Sequence, residues 1–477
     1  MGKEKDERIA SGIDTESAEE AAEKIPDDAT LAMSSLGGGP KEVPKHLVSE
    51  GREKSFTLLG TADTGIVADH SLIEEVKMRY PFAVWPPVKR AVNEGRMRFV
   101  DTHLSEVATE VRQGYYGDVD VAVIETVAVG DGWFVPSTVV GATPTYVEEA
   151  DRLVLEVNRE QPLGLRDLHD VYTSRVTETV PLESPGERIG GPRVGFDTDK
   201  PVSVVETSQE PPAYPFDEPT DDEERIVERL AEFVQEEVET NRVIDESGMV
   251  SFEMGVGTLG NAAASSLEDV DFGDTEPHYF GEVLQDGVLD LIDNGVVDDA
   301  SAMSMVLSEE GKRRVFENLE ECAESIVLRP LAVSNDPDAI RRFCVIGVNG
   351  AVEVDVYGNA NSSHVGGSRL LQGIGGSADF SRNSLVSVFV LTSTVKDGSV
   401  STVVPMASHV DHTEHDVSVV ITEQGVADLR GLSPRERAES MIENCAHPDY
   451  RDDLREYVEE AGGGHIPHDL GSSFDWE

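Results

Sequence analysis

Short apolar runs alternate with amphipathic stretches along most of the chain. Ala29 to Met33, Ser55 to Gly60, Arg98 to Asp101, Val119 to Glu125 and Arg152 to Val157 read as strands, and helical patterns lie between several of them. Before Ala29 the chain is polar, with the character of a frayed helix. The first strand runs towards Gly37-Gly38-Gly39-Pro40-Lys41, a turn able to open a helix, and the second towards a small-residue loop after Gly60. Strand and helix in repetition predict open α/β layers on mainly parallel sheets.

Between about 184 and 222 the pattern breaks into Pro-, Gly- and acid-rich sequence, including Pro211-Pro212-Ala213-Tyr214-Pro215, which reads as a linker or a draped arm. From Asp221 to Glu239 helical spacing of Ile226, Leu230, Phe233, Val234 and Val238 opens a second α/β unit. Its strands are expected at Phe252 to Gly257, His278 to Glu282, Val352 to Tyr357, Ser384 to Thr392, Ser401 to Met406 and Val417 to Thr422. Lys396-Asp397-Gly398-Ser399 signals a hairpin. A chain of 477 residues exceeds one compact core. The expected division is a domain over 1–200, a linker over 201–222 and a domain over 223–477.

Composition narrows the function classes. Asp+Glu 93 against Lys+Arg 39 gives a formal net charge of −54, a field that repels nucleic acid and anionic lipid. The acids are spread through patterned segments, so they read as a solvated surface suited to high salt, where screening relieves their repulsion; cation binding by an acidic patch is the other reading. Cys322, Cys344 and Cys445 are odd in number and scattered, which suits a reducing cytoplasm rather than a disulfide framework. The first residues are charged, unlike a signal peptide, and no apolar run approaches a membrane span.

Three stretches carry candidate chemistry. Gly255-Val256-Gly257-Thr258-Leu259-Gly260 matches GxGxxG between a strand and an Ala-rich segment; it is either a tight strand–helix turn or an anion site made of backbone amides. Gly373-Ile374-Gly375-Gly376-Ser377-Ala378-Asp379-Phe380 offers exposed amides to an oxyanion or a phosphate. Tyr357 to His364 clusters small polar groups, as either Asx and Ser turns or a site wall. His409, His412 and His415, three apart, suit a surface turn better than a metal, for want of a fourth ligand. There is no GxSxG elbow and no cysteine in an activating context, and spacing does not select a carboxylate nucleophile among so many acids.

Longer strings select a family. Asn335-Asp336-Pro337, Tyr357-Gly358-Asn359, Gly373 to Phe380, Val404-Pro405-Met406, Thr422 to Gly431 and Cys445-Ala446-His447-Pro448 resemble the acetyl-CoA hydrolase/transferase family, the class I CoA-transferases that include succinyl-CoA:acetate CoA-transferases. Weaker likeness extends upstream through Gly39-Pro40-Lys41 to Pro44, Asp101 to Ser105 and the strand ending at Glu125. The resemblance implies two CoA-transferase-type α/β domains in a cytoplasmic homodimer that moves CoA between short-chain acids, with acetyl-CoA hydrolysis as the alternative. It implies no permanently bound cofactor and no metal, with coenzyme A as a substrate and acyl-CoA and short-chain carboxylates as the partners. Within Gly281-Glu282-Val283-Leu284-Gln285-Asp286-Gly287 it implies that Glu282 is the nucleophile, with Asn335 and the Gly376 amide as the oxyanion hole. CoA contacts are implied at Gly255, Val256, Gly257, Thr258, Leu259, Gln372, Gly376 and Lys396, the lysine supplying positive charge. Two positions depart from or vary within the pattern: Gly260 stands where relatives often carry proline, and His364 occupies a variable slot with no assigned role. The acyl specificity is not carried by these strings.

Overall fold

The computed structural model describes residues 8–48, 54–60, 70–81, 85–173 and 177–469. The charged N-terminal residues 1–7 and most of the loop expected after Gly60 lie outside them.

The N-terminal half is built on a sheet whose parallel strands run, in spatial order, Arg98–Phe99, Val76–Pro81, Phe56–Gly60, Thr30–Met33, Val121–Gly130, Arg152–Asn158 and Val202–Thr207. Trp133–Pro136 and Val194–Gly195 extend it antiparallel from Val121–Gly130. All ten residues of that strand are buried, as expected for a strand covered on both faces.

The C-terminal half repeats the plan. Ile326–Leu328, Ala300–Ala302, Glu276–Phe280, Met249–Met254, Val345–Gly350, Val386–Val390 and Val419–Thr422 are parallel neighbours, and Gly425–Asp428 closes the edge antiparallel. In each sheet the first strand in sequence is central. Its successors add outward on one side, and later strands start again on the other. Such a reversal leaves a crevice beyond the carboxyl ends of the two strands that flank it. The expected α/β fold on mainly parallel sheets is the observed one.

One expectation needs correction. Residues 201–222 do not begin as a linker: Val202–Thr207 is a full edge strand, because Val204 and Val205 pack inward beside Arg152–Asn158. The arm before it is also anchored, where Arg329, wholly buried, pairs with buried Asp170 and donates to Ser301 Oγ (2.7 Å) and the Pro185 carbonyl (2.9 Å). Asp170 and Pro185 are thereby tied to the edge of the C-terminal sheet. The helix Asp221–Thr240 forms as expected, with a Thr220–Glu223 capping box and Ile226, Leu230 and Val234 buried.

Removing one partner of a buried ion pair strands the other charge without water. Asp170→Ala is therefore expected to lower unfolding free energy by roughly 3–5 kcal/mol. Denaturant titration at fixed salt measures it.

Candidate active site

The crevice of the C-terminal sheet opens into a cavity of about 630 Å³ lined by Gly255 to Leu259, Glu282, Val348 to Gly350, Gln372 and Gly375 to Ser377. These residues come from the ends of three neighbouring strands and from the glycine-rich loop, so the fold assembles what the sequence separates.

The Gly255 loop follows Met249–Met254 and leads into the helix Thr258–Ser266. Gly257 adopts φ +135°, a conformation open to glycine. Gly260 is glycine for want of space, since a Cβ there would lie 1.8 Å from the Gly255 carbonyl oxygen. Gln285, completely buried, braces the loop: its Oε1 accepts from Gly257 N–H (3.0 Å) and its Nε2 donates to the Gly255 carbonyl (3.2 Å). Asp286 holds Ser308, and Gly287 leaves room for the Asn261 carbonyl. The residues after Glu282 are therefore scaffolding for the neighbouring loop.

Glu282 sits between the strands Glu276–Phe280 and Val283–Leu284, half-buried at the cavity floor. Asn335 Nδ2 lies 3.3 Å from its Oε2. Burial pushes its carboxyl up to about 7, with the nearby Asp379 adding to the rise, while hydrogen bonds from the Asn335 carboxamide and the Gly376 amide oppose it. Gly376 has an ordinary φ of −88°, so space rather than conformation requires glycine. A Cβ there would stand 1.7 Å from Glu282 Oε2 and 2.7 Å from Asn335 Nδ2.

The structure brings together Glu282, Asn335, Gly376, Gln372 and Gly255 to Leu259. Lys396 does not join them. It is on the hairpin formed by Thr394–Val395 and Val400–Ser401, with φ +54°, and does not line the cavity; Lys89, from the N-terminal half, does. Three further residues escaped sequence reading. Glu253 is buried beside the site, accepts from Asn349 Nδ2 (2.9 Å) and is pushed well above the usual carboxylate range by burial and by Glu282. Asp379 is buried against Asn335, and Gln285 braces the loop. Membership in the family strings was the only signal for Asp379 and Gln285, and Glu253 had none.

The three evenly spaced histidines separate. His412 is buried, its ring within 3.1 Å of Ser362 and Ser381 hydroxyls, and burial lowers it to about 4, so it is neutral. His415 is exposed. His409 instead meets His364 and Asp411, whose donor atoms lie within 4.8 Å of one another. Asp411 is already engaged by the amides of Ser362 (2.7 Å) and Ser363 (2.9 Å).

A crevice at a strand-order reversal, lined by glycine amides and holding the Glu282 carboxylate, defines a ligand-binding α/β enzyme of the doubly wound kind. Residues 13–206 match the acetyl-CoA hydrolase/transferase N-terminal domain and residues 311–458 its C-terminal domain. The chain is 40% identical over 474 residues to a succinyl-CoA:acetate CoA-transferase of Clostridium kluyveri, covering 96% of this chain and 87% of the relative. It is 39% identical over 475 residues to a propanoyl-CoA:succinate CoA transferase of Escherichia coli, covering 96% of each. An acetyl-CoA hydrolase of Saccharomyces cerevisiae is 37% identical over 469 residues, covering 92% of this chain and 88% of the relative. The crystal structure of RipA from Yersinia pestis shares the fold at a TM-score of 0.72 and 22% identity, over 94% of this chain and 97% of that one. The chain belongs to the acetyl-CoA hydrolase/transferase family, and it is an enzyme of the CoA-transferase or acetyl-CoA hydrolase kind.

Gly376→Ala is expected to displace Glu282 and Asn335 together while leaving the sheets intact. Turnover of acyl-CoA should fall by about 10²-fold, the scale of losing one oxyanion donor, with an unchanged circular-dichroism spectrum.

Proposed function

We propose that this enzyme transfers CoA between short-chain carboxylic acids, acetate with succinate or propionate, through a covalent intermediate on Glu282. The observation that carries the reading is the Glu282 carboxylate at the floor of an amide-lined cavity, with Asn335 Nδ2 at 3.3 Å.

A carboxylate suits the chemistry because the anhydride it forms stays activated, whereas a serine ester would lose that free energy. Glu282 attacks the thioester carbonyl, the tetrahedral intermediate collapses, and CoA leaves as thiolate from an acyl-glutamyl anhydride. The thiolate then attacks the glutamyl carbonyl, giving a glutamyl-CoA thioester and releasing the first acid as carboxylate. A second carboxylate attacks that thioester and expels the thiolate. The thiolate attacks the new acyl carbon, so acyl-CoA departs and Glu282 is regenerated. Each tetrahedral oxyanion needs donors, a role for Asn335 Nδ2 and the Gly376 amide, each worth about 3–4 kcal/mol in other enzymes. The Gly255 to Leu259 loop and Gln372 lie where the CoA portion would be held; Lys89 takes the part of the local cation in place of Lys396.

Hydrolysis is the second reading, because relatives of comparable identity are named acetyl-CoA hydrolases. It differs only in water intercepting the activated glutamate. We also infer a cytoplasmic homodimer with a surface suited to high salt. The unpaired cysteines support the compartment, the excess of acids supports the salt, and the dimer rests on family likeness. Among the described residues no helix is long and apolar enough to cross a membrane.

Two measurements test the reading. Borohydride added with acyl-CoA should reduce the glutamyl thioester and mark the peptide containing Glu282; an unmarked peptide, or full turnover by Glu282→Ala, would refute the mechanism. Consumption of acetyl-CoA should depend on added succinate and yield succinyl-CoA without free CoA thiol, whereas free CoA released at a rate indifferent to acceptor would leave the hydrolase. Because the nucleophile must be ionised, kcat/KM should climb as pH rises through about 7, where Glu282 loses its proton, and level off above. A flat profile between pH 5.5 and 8.5, a window chosen to bracket that value, would assign the nucleophile elsewhere.

A further inference from the structure

The Asn335 carboxamide is held from more than one side. Its Nδ2 lies 3.3 Å from Glu282 Oε2 and 3.1 Å from Asp379 Oδ2, and its Oδ1 accepts from Ser334 Oγ (2.9 Å). An amide nitrogen has two hydrogens. One is committed to Asp379, which leaves the other for Glu282 and for charge that develops beside it. Turned by half a rotation, the carboxamide would set its oxygen against two carboxylates and lose the Ser334 donor. Asp379 therefore decides which way Asn335 faces.

Asp379 is itself fixed, and the fixing group belongs to the other half of the chain. Ser105 donates its backbone N–H to Asp379 Oδ2 (2.9 Å) and its hydroxyl to Oδ1 (2.6 Å). The carboxylate is buried, so these bonds are shielded from water and hold their geometry. The same N-terminal segment reaches the glycine loop twice more. Asp101 accepts from Ile374 N–H (2.8 Å), and Asn93 exchanges two hydrogen bonds with the Leu370 backbone (2.8 and 2.9 Å). The loop that carries Gly376 is thus seated against the N-terminal half along its length.

We propose that Asp379, anchored by Ser105, is a positioning residue of the reaction: it sets the orientation of the Asn335 carboxamide and makes the oxyanion site depend on the correct seating of the N-terminal domain. Asp379 touches neither reacting carbon; it acts through Asn335. The inference rests on Glu282 being the nucleophile.

A double-mutant cycle separates this role from a merely structural one. Asp379→Ala and Asn335→Ala should each lower kcat for acetyl-CoA with succinate by about 10²-fold, with KM for acetyl-CoA within about twofold. The double variant should be no slower than the worse single one, because the second substitution removes what the first has already disabled. Losses that multiply would overturn the proposal. Asp379→Asn, which keeps an acceptor for Asn335, should recover at least tenfold over Asp379→Ala; no recovery would count against it. Should Asp379→Ala fail to fold, Ser105→Ala removes only the hydroxyl, and its loss should likewise vanish in the Asn335→Ala background; a loss that persists there would overturn the proposal. Glu282→Ala is the control. If that variant turns over at the full rate, the nucleophile assignment fails; if it is inactive while the cycle multiplies, only the role of Asp379 fails.

Discussion

The site depends on one unfavourable placement, a glutamate carboxyl taken out of water at the floor of a cavity. Alone, that burial would keep Glu282 protonated and unreactive. Two amide donors moderate the cost without supplying a full positive charge, and its pKa is held at about 7. A lysine or arginine in their place would stabilise the resting carboxylate and make it a poorer nucleophile. Neutral donors are weaker towards the ground state and remain available to an oxyanion. The glycine at 376, the buried carboxamide at 335 and the braced loop at 255 to 257 all serve that placement.

The same topology in the N-terminal half shows why only one of two similar crevices is open. Beyond the strand Thr30–Met33 the glycine turn also presents backbone amides, but they are already taken. Gly39 N–H donates to Glu125 (3.0 Å), and the amides of Lys41, Glu42 and Val43 donate to Glu156 at 2.7 to 3.1 Å. Asn158 and Gln161 complete the Glu125 shell. The chain's own carboxylates fill this crevice, and Gly37 packs against the Met305 carbonyl, where a Cβ would come within 1.7 Å. One crevice became a domain contact, and the other stayed open.

Much of the fold was readable because buried parallel strands are short apolar runs, and the N-terminal expectations fall within a few residues of the observed strands. The central strand Val345–Gly350 was not foreseen. Gly347 and Asn349 interrupt its apolar run, and both are there for the site. Gly347 leaves room for Ser384 and Glu253, and Asn349 bonds Glu253. The edge strand Val202–Thr207 was hidden by the proline-rich sequence on either side of it. At the site, the amide loops were visible from composition, and Glu282 only from a family string. Its distinguishing property is burial by residues 335 and 376, which no local pattern records. Lys396 came from the family likeness, and it sits on the hairpin turn that the sequence signalled, with φ +54° at Lys396 and +55° at Asp397, outside the lining of this cavity.

A net charge of −54 makes the interior acids more informative, because surface and interior obey different rules. Exposed acids are paired within a helical turn, as Glu310 and Glu317 are with Arg313, or face water, and salt screens them. Glu253, Glu282 and Asp379 stand in one another's field, shielded from water, and mobile ions cannot reach between them. Salt should therefore act on this protein through its surface, altering stability far more than the titration of the site. Burial raises all three pKa values, with Asp379 adding to the rise of Glu282 and both adding to that of Glu253, and the hydrogen bonds from Asn335, Asn349 and Ser105 keep three carboxyl groups in one small volume. That constraint explains the polar residues packed around Glu282 better than any need to bind substrate, since Asn349 and Ser105 bond only its acidic neighbours.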